Sequence, residues 1–184
     1  MNQRVFLGGN SCRGFFSLYE GFPPEEGALL HIVKGGPGGG KSGFMRAIAE
    51  AAEARGLDVQ TVLCSGDPDS LDGVYVPALH QAWVDGTAPH VVEPRHFGAD
   101  SDYVNLGRFL RQPMTESDKA EIRRITEAYR ALYEEAYRKL REAKALHDAL
   151  EAVYKPYMDF DGLTKYTEEC VRELFGATET ADHS

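Results

Sequence analysis

The chain has 184 residues, of which 42% are hydrophobic and 27% charged, a composition typical of a globular protein with one main domain. Twenty basic and 29 acidic residues give a formal net charge of −9, which repels phosphate backbones, so we expect no nucleic-acid partner. The sequence has no apolar run of membrane-spanning length, and we expect no membrane partner.

The three cysteines, Cys12, Cys64 and Cys170, are odd in number and far apart, which argues against a disulfide framework or a zinc site. The N-terminal residues lack the charged and apolar regions of a secretory signal. Together these features predict free thiols and a cytoplasmic location.

Three short apolar runs predict β-strands at Arg4–Leu7, Phe15–Tyr19 and Ala28–Lys34. The first two are close enough in sequence to pair as a β-hairpin. The third is almost continuously apolar, as expected of a central strand that is covered on both faces.

A helix is predicted over residues 41–56, where apolar residues recur at helical spacing. Further strands are predicted at Asp58–Cys64 and Leu79–Val84, with a loop at 66–73 between them. This order of elements is typical of an α/β domain with a largely parallel sheet.

The composition changes at Thr115, and residues 115–155 contain neither glycine nor proline. Apolar residues spaced by three or four predict one long helix with a continuous apolar stripe over residues 122–154. A second helix is predicted at Leu163–Phe175. It is expected to return after a turn at Asp159–Gly162 and to cover part of the stripe.

One segment matches the phosphate-binding pattern G-x-x-x-x-G-K-[ST], and it lies between the predicted central strand and the first helix, as this pattern requires. Its members are Gly35, Gly36, Pro37, Gly38, Gly39, Gly40, Lys41 and Ser42. The glycines allow successive backbone N–H groups to converge on phosphate oxygens. Lys41 is expected to contact the β- and γ-phosphates, and Ser42 to bind Mg²⁺. A glycine-rich turn without this role is the alternative.

Asp85 is the predicted metal-binding carboxylate, because it follows the apolar residues Ala82-Trp83-Val84 at the expected end of a strand. Gly86 follows it, so no glutamate stands directly after this aspartate to act as a general base. A structural turn that begins at Asp85 is the alternative.

The predicted loop at 66–73 carries three carboxylates and is expected to open at the carboxyl edge of the sheet, where α/β domains bind ligands. Asp67 lies nearest the strand end and is the predicted functional member, with a solvated turn as an equal alternative. Thr87, two residues after Asp85, is expected to contact a γ-phosphate.

The histidines His80, His90 and His96 match no zinc spacing, and we interpret them as ordinary core or surface residues. The guanine-reading pattern Asn-Lys-x-Asp is absent from the sequence. Adenine is therefore favoured by default.

Several sequence blocks together are more specific than the glycine pattern alone. They are FLGGN, GFFS, KGGPGGGKS with FM soon after, DPDSLDGV, VDGTAPHVVEP and VNLG. With these blocks, the chain from about Phe6 to Leu106 resembles a family of bacterial P-loop proteins described only as predicted ATPases or nucleotide-kinase-like proteins. The match continues more loosely over the helical segment to 158–160. Gly39 stands where the family commonly has threonine, a change that keeps the backbone cradle but loses a hydroxyl group.

The resemblance implies a P-loop NTPase fold and ATP as the nucleotide. It also implies that the residues at matching motif positions have functional roles. These residues are Gly35–Ser42, Asp67, Asp69, Asp72, Asp85, Thr87 and His90. Family members usually carry two such halves in tandem, whereas this chain has one P-loop. We therefore expect a fragment, a single-half relative, or a subunit that pairs with another chain.

The sequence thus predicts a P-loop nucleotide-binding core at 1–114, a helical arm or lid at 115–176 and a disordered tail at 177–184. Because the stripe on the arm exceeds what the second helix can cover, we expect self-association as a homodimer, or pairing with a second P-loop half.

Two functions are compatible with the predicted site. The first is Mg²⁺-dependent ATP hydrolysis or phosphoryl transfer to an unidentified substrate, with Lys41, Asp67, Asp85 and Thr87 in catalytic roles. The second is an ATP-gated protein-interaction module with little hydrolysis of its own.

Overall fold

The computed structural model describes residues 2–176, which form eight β-strands. They are β1 (Gln3–Val5), β2 (Gly8–Ser11), β3 (Gly14–Ser17), β4 (Leu29–Lys34), β5 (Gln60–Leu63), β6 (Leu71–Val76), β7 (Gln81–Asp85) and β8 (Ser101–Asn105). Six of them form one sheet in the order β1-β5-β6-β7-β4-β8, in which β6 alone runs antiparallel to its neighbours. The predicted mixed α/β class with a mostly parallel sheet is confirmed.

An N-terminal hairpin is present, but the predicted strand boundaries were wrong. The hairpin consists of β2 and β3, whereas β1 pairs in parallel with β5. Gly8 lies between the two predicted strands but belongs to β2, where a Cβ would come within 2.3 Å of the Phe15 ring. Glycine therefore allows this ring to lie against the backbone of the partner strand, and Gly14, with a φ of +97°, occurs directly after the turn.

The predicted loop at 66–73 was wrong over its last three residues, because β6 begins at Leu71 and is buried along its whole length. Gly73 lies in the middle of the sheet. A Cβ on it would come within 3.1 Å of the Val62 side chain and 3.2 Å of the Trp83 carbonyl oxygen. Glycine thus permits a close approach inside the sheet, although in sequence it resembled a loop residue.

The strand predicted at Leu79–Val84 begins two residues later, at Gln81. Residues Pro77–Leu79 form a turn of 3₁₀-helix, and His80 adopts a left-handed conformation with φ of 49°. The strand β8 was not predicted, since its sequence, SDYVN, has little apolar character.

Helix α1 (Lys41–Glu53) covers one face of the sheet, where Met45 and Ala49 pack with Val74 and Val76. The other face is covered by the segment that follows the hairpin. There Tyr19 and Phe22 are buried together with strand residues such as Ile32 and Val84. One face of the sheet is therefore covered by α1, and the other by the segment that follows the hairpin.

The predicted long helix is confirmed as α2 (Glu116–Tyr154). At its start, the Thr115 hydroxyl accepts from the Asp118 backbone N–H at 3.1 Å, and the Asp118 carboxylate accepts from the Thr115 N–H at 3.0 Å. This reciprocal capping satisfies two backbone donors that the helix leaves unpaired.

The second helix, α3 (Phe160–Phe175), begins earlier than predicted, so the expected turn at Asp159–Gly162 is mostly helical. Asp159 is its N-cap and accepts from the Gly162 N–H at 2.9 Å. No residue of α3 is buried, and Leu150 and Tyr154 of the predicted stripe are more than half exposed. The helix therefore leaves these parts of the stripe uncovered.

The described residues divide into two compact units, residues 2–141 and 142–176. This division differs from the predicted boundary at residue 114, because the first part of α2 belongs to the same unit as the sheet. The tail predicted at 177–184 lies outside the described residues. Of the helices in residues 2–176, none has the length and apolar composition that a membrane crossing requires.

Candidate functional site

The carboxyl edge of the parallel strands brings together the segments that carry the predicted site residues. Strand β4 ends here and leads into residues 35–40, which we call the glycine-rich loop, and β7 ends here at Asp85. Because β6 runs in the opposite direction, its first residues, Leu71 and Asp72, lie at the same edge. Ligands of open α/β sheets bind at this edge.

The glycine-rich loop uses conformations that favour glycine. Gly38 and Gly40 have φ values of 71° and 86°, and the Gly39 N–H donates to the Gly36 carbonyl at 3.0 Å. Helix α1 begins directly afterwards at Lys41, and no side chain caps its N-terminus. The loop is therefore followed by the positive end of a helix dipole with backbone donors free of side-chain caps.

Lys41 lies between the glycine-rich loop and Asp85. Its Nζ donates to the carbonyl oxygens of Gly35 at 2.9 Å and Gly36 at 3.2 Å. The same atom lies 3.5 Å from Asp85 Oδ2, and the two side chains are only 11% and 12% exposed. The structure thus brings the predicted lysine and the predicted carboxylate together in a half-enclosed ion pair.

Asp85 also begins a turn. Its Oδ1 accepts from the Thr87 backbone N–H at 2.9 Å and from the Thr87 hydroxyl at 2.6 Å. The next residue, Gly86, has no room for a side chain, since a Cβ would come within 2.3 Å of Ile32 Cγ2. Asp85 therefore starts the turn that was the alternative and also faces Lys41, and its metal-binding role stays a prediction.

Ser42 joins the first turn of α1 to the sheet, since its Oγ accepts from the Leu71 N–H at 2.9 Å. Ser42 and Asp85 offer a hydroxyl and a carboxylate oxygen, the types of ligand that Mg²⁺ prefers. The chemistry of these two donors is compatible with a magnesium ion, and they are the residues that could hold one.

Asp67 is exposed, and its carboxylate accepts from the Asp69 backbone N–H at 3.3 Å in the same turn. The neighbouring Asp69 carbonyl accepts from the Arg46 guanidinium of α1. The structure therefore places Asp67 in a local surface turn, and its catalytic role stays a prediction. The carboxylate that reaches the site from this region is Asp72.

Asp72 is directed into the protein by an irregularity in the strand pairing. Val62 pairs with Gly73, whereas Leu63 pairs with Leu71, so Asp72 is an extra residue on β6. Such a bulge redirects a side chain that regular pairing would place elsewhere. Asp72 is 5% exposed, and its Oδ2 accepts from the Tyr19 hydroxyl at 3.1 Å.

His90 completes this buried cluster. Its Nε2 lies 3.1 Å from Asp72 Oδ2, its Nδ1 lies 2.9 Å from the Asp85 backbone carbonyl, and its ring stacks on Tyr19 with centroids 4.5 Å apart. A carbonyl only accepts, so Nδ1 carries a proton, and a second proton on Nε2 lets the ring donate to Asp72 as well. The cluster is therefore best described as a buried imidazolium–carboxylate pair.

The pKa directions agree with this description. Burial alone would lower the pKa of His90, but the hydrogen bond and the charge of Asp72 raise it above its ordinary value. Burial, followed by the charge of Asp72, raises the pKa of Tyr19, which therefore stays a neutral hydrogen-bond donor.

Lys34, the last residue of β4, fixes the segment that carries His90. Its ammonium donates to the carbonyl oxygens of Gly86 at 2.8 Å and Val92 at 3.0 Å, and it pairs with Glu93 at 2.7 Å. Lys34 therefore holds the segment after β7 both before His90, at Gly86, and after it, at Val92 and Glu93.

A cavity of about 140 Å³ adjoins the buried cluster. Its lining residues are Asn10, Cys64, Ser65, Gly66, Asp72, Asp85, Thr87, Ala88, Pro89, His90, Tyr129 and Tyr133. Burial raises the pKa of the Cys64 thiol, which favours its neutral form. The cavity thus connects the Lys41–Asp85 pair with the Asp72–His90 pair.

The first half of α2 forms one wall of this cavity through tyrosines. Tyr129 and Tyr133 have ring centroids 4.9 Å apart, and Tyr137 donates its hydroxyl proton to Asn10 Oδ1 at 2.9 Å. Burial, together with a hydrogen bond to Tyr133, raises the pKa of Tyr129 to about 12. The helix is therefore joined to the hairpin and to the site by this tyrosine edge, made of Tyr129, Tyr133 and Tyr137.

Sequence reasoning from spacing missed part of this site. It interpreted His90 as an ordinary histidine, although the family resemblance gave it weight, and it assigned no role to Tyr19 or Cys64. The tyrosine edge had a visible signal, because the three tyrosines recur every four residues on one helix face.

In comparisons with known proteins, no protein-family model, no curated protein and no solved structure matches this chain. The chemistry of the site therefore rests on its own residues.

Proposed function

We propose that this protein binds ATP through residues Gly35–Ser42 and catalyses Mg²⁺-dependent hydrolysis or phosphoryl transfer. The observation that carries the proposal is the position of the Lys41 ammonium, which lies against the glycine-rich loop and 3.5 Å from Asp85. A lysine ammonium next to uncapped backbone N–H groups and a carboxylate provides the three kinds of group that a nucleoside triphosphate and its metal require.

In this proposal, the backbone N–H groups of the loop and of the first turn of α1 hold the phosphates. Lys41 moves from the Gly35 and Gly36 carbonyls to the β- and γ-phosphates. Ser42 and Asp85 hold Mg²⁺, which when bound stabilises negative charge on the transferred phosphoryl group. Thr87, fixed by two hydrogen bonds to Asp85, lies near the γ-phosphate and would have to release one of these donors to bind it.

The buried cluster and the tyrosine edge support phosphoryl transfer more than rapid hydrolysis. Tyr129 and Tyr133 close one side of the cavity beside Asp85, which limits the access of water. Gly86 occupies the position directly after Asp85, so a general base has to come from another element.

Calorimetric titration tests this function directly. We expect ATP to bind in the presence of Mg²⁺ and to bind more weakly when Mg²⁺ is removed by a chelator, and we expect GTP to compete poorly. Absence of ATP binding under both conditions would contradict the proposal.

A second candidate is an ATP-gated interaction module, in which nucleotide binding moves α2. It is favoured by the position of the tyrosine edge, since Tyr133 lines the same cavity as Asp85 while Tyr137 holds the hairpin. Hydrogen exchange over residues 126–137 distinguishes the two. A gated module predicts a clear change in exchange upon ATP binding without measurable ADP formation.

A further inference from the structure

We propose that the cavity between Asp72 and the tyrosine edge is the subsite for the phosphoryl acceptor, that it takes a small uncharged polyol or sugar through a hydroxyl group, and that Asp72 accepts the hydroxyl proton. This inference rests on the proposed nucleotide-binding function and identifies the class of its second substrate.

The charge of the cavity wall favours an uncharged ligand. Two carboxylates line it, and each already has a cationic partner: Asp72 pairs with His90 at 3.1 Å, and Asp85 with Lys41 at 3.5 Å. Among the described lining residues, none is lysine or arginine. A phosphate ester or a carboxylate would therefore enter beside two aspartates without a cation left to bind it, which costs free energy.

The other lining groups suit hydroxyl groups on a compact carbon skeleton. Asn10, Ser65 and Thr87 offer short polar side chains, and the rings of Tyr129 and Tyr133 offer an apolar surface with a polar tip. The volume of about 140 Å³ is well below that of drug-sized sites. A small polyol or sugar satisfies both the hydrogen-bonding groups and the size.

Asp72 is positioned to act as the proton acceptor. The bulge in β6 directs it into the cluster, and Tyr19 and His90 both donate to its Oδ2, which fixes its orientation. His90 is a poor alternative, since both of its ring nitrogens face acceptors. Tyr19 and His90 are therefore positioning residues.

Phosphoryl transfer exchanges one phosphorus–oxygen bond for another. The acceptor oxygen forms a bond to the γ-phosphorus of the nucleotide, and the bond from that phosphorus to the β,γ-bridging oxygen breaks. Its electron pair stays on the departing nucleoside diphosphate. The acceptor's hydroxyl proton passes to the Asp72 carboxylate and then to solvent.

The first test uses water, the smallest hydroxyl acceptor, with Asp72→Asn in the full chain. We expect ADP formation in a single turnover to fall by about 100-fold or more, the usual contribution of a general base. Affinity for MgATP, measured by calorimetry, should change by less than about threefold, because Asp72 is not placed on the phosphates. The matched control is Asp102→Asn, another strand aspartate bound to a histidine, His31, at 2.6 Å, which should leave the rate unchanged.

The second test uses matched pairs of uncharged and phosphorylated acceptors, namely glycerol with glycerol 3-phosphate and ribose with ribose 5-phosphate. Phosphorus NMR should detect a new phosphate ester with an uncharged member and none with its phosphorylated partner. Phosphorylation of an ester member, or of no member while MgATP is hydrolysed, overturns the substrate class.

A further variant tests the subsite even if Asp72→Asn does not fold. Gly66→Ala narrows the cavity, because a Cβ at this position would come within 3.2 Å of the Tyr133 hydroxyl, so it should strongly reduce transfer to the polyol while hydrolysis by water changes only a few-fold. Equal effects on both reactions, or none on either, overturn the subsite. If the original protein does not bind MgATP at all, the proposed function is wrong. If it binds MgATP and Asp72→Asn retains full turnover, only this inference is wrong.

Discussion

His90 and Asp72 form an ion pair 3.1 Å long, in which the two side chains are only 5% and 7% exposed. The pair connects the segment after β7 to the start of β6, and the Tyr19 hydroxyl supports it from the segment after the hairpin. Three parts of the chain that are distant in sequence therefore meet at one carboxylate. Removing one member of such a pair leaves the other charge buried without compensation, which is strongly destabilising.

The pH dependence of stability follows from this pair. Since the pKa of His90 is raised in the fold, its contribution is fully present below the unfolded value of about 6.5 and is lost as the pH rises through the folded-state pKa. His90→Gln should therefore lower the free energy of unfolding by about 3 kcal/mol at pH values below about 6.5. The difference from the original protein should shrink as the pH rises further.

Urea unfolding at several pH values between about 5.5 and 8 measures this difference, and the range stays below the ionisation of Cys64, whose pKa is also raised. The exposed His147→Gln is the control and should show little change. A difference between His90→Gln and the original protein that grows with increasing pH would contradict the ion pair.

Nucleotide affinity should depend strongly on Lys41. Lys41→Ala removes the cation that lies at the glycine-rich loop, and we expect MgATP binding to weaken by about 2–5 kcal/mol, the range for truncating one member of a close charge pair. Calorimetry of the variant measures this loss. The control is Lys119→Ala, which removes one exposed charge from α2 and should bind MgATP as the original protein does. Undiminished affinity of Lys41→Ala for MgATP would contradict the prediction.

Metal dependence should depend on Asp85. Asp85→Asn keeps an acceptor for both Thr87 hydrogen bonds but removes the charge, so the turn is preserved while the metal ligand is weakened. We expect Mg²⁺-dependent turnover to fall by about 100-fold, and metal-free nucleotide binding to change by less than about threefold. Equal losses in the two measurements would favour a purely structural role for the turn.

Local signals in the sequence predicted β4, the glycine-rich loop and α1, because a continuous apolar run, a glycine pattern and a helical period each specify their own segment. The strand β6 was missed because its local sequence favours a different structure. Asp72 and Gly73 favour a loop locally, and only the packing of Gly73 against Val62 and Trp83 explains why a strand contains them.

The buried pair itself was beyond local reasoning. The pair depends on the bulge in β6 opposite Leu63 and on the hydrogen bonds by which Lys34 holds the segment that carries His90. Both features join residues that are far apart in sequence. The apolar stripe of α2 was predicted correctly as a pattern. The side of the helix that joins the sheet unit, however, is the tyrosine edge, since Tyr133 and Tyr137 are half-buried whereas Leu132 is 68% exposed.

That exposed stripe leads to the last prediction, which is self-association through residues 122–154. Ile125, Leu132 and Leu140 are 52%, 68% and 38% exposed, and a row of apolar side chains on one helix face usually marks a partner surface. A two-fold dimer is the simplest arrangement that covers such a row. Light scattering at tens of micromolar should therefore give twice the mass of one chain. Leu132→Glu together with Leu140→Glu should return it to the mass of a monomer, while Arg130→Glu, an exposed polar control, should not. A monomeric mass that the two glutamates leave unchanged would show that the stripe does not join two copies of the chain.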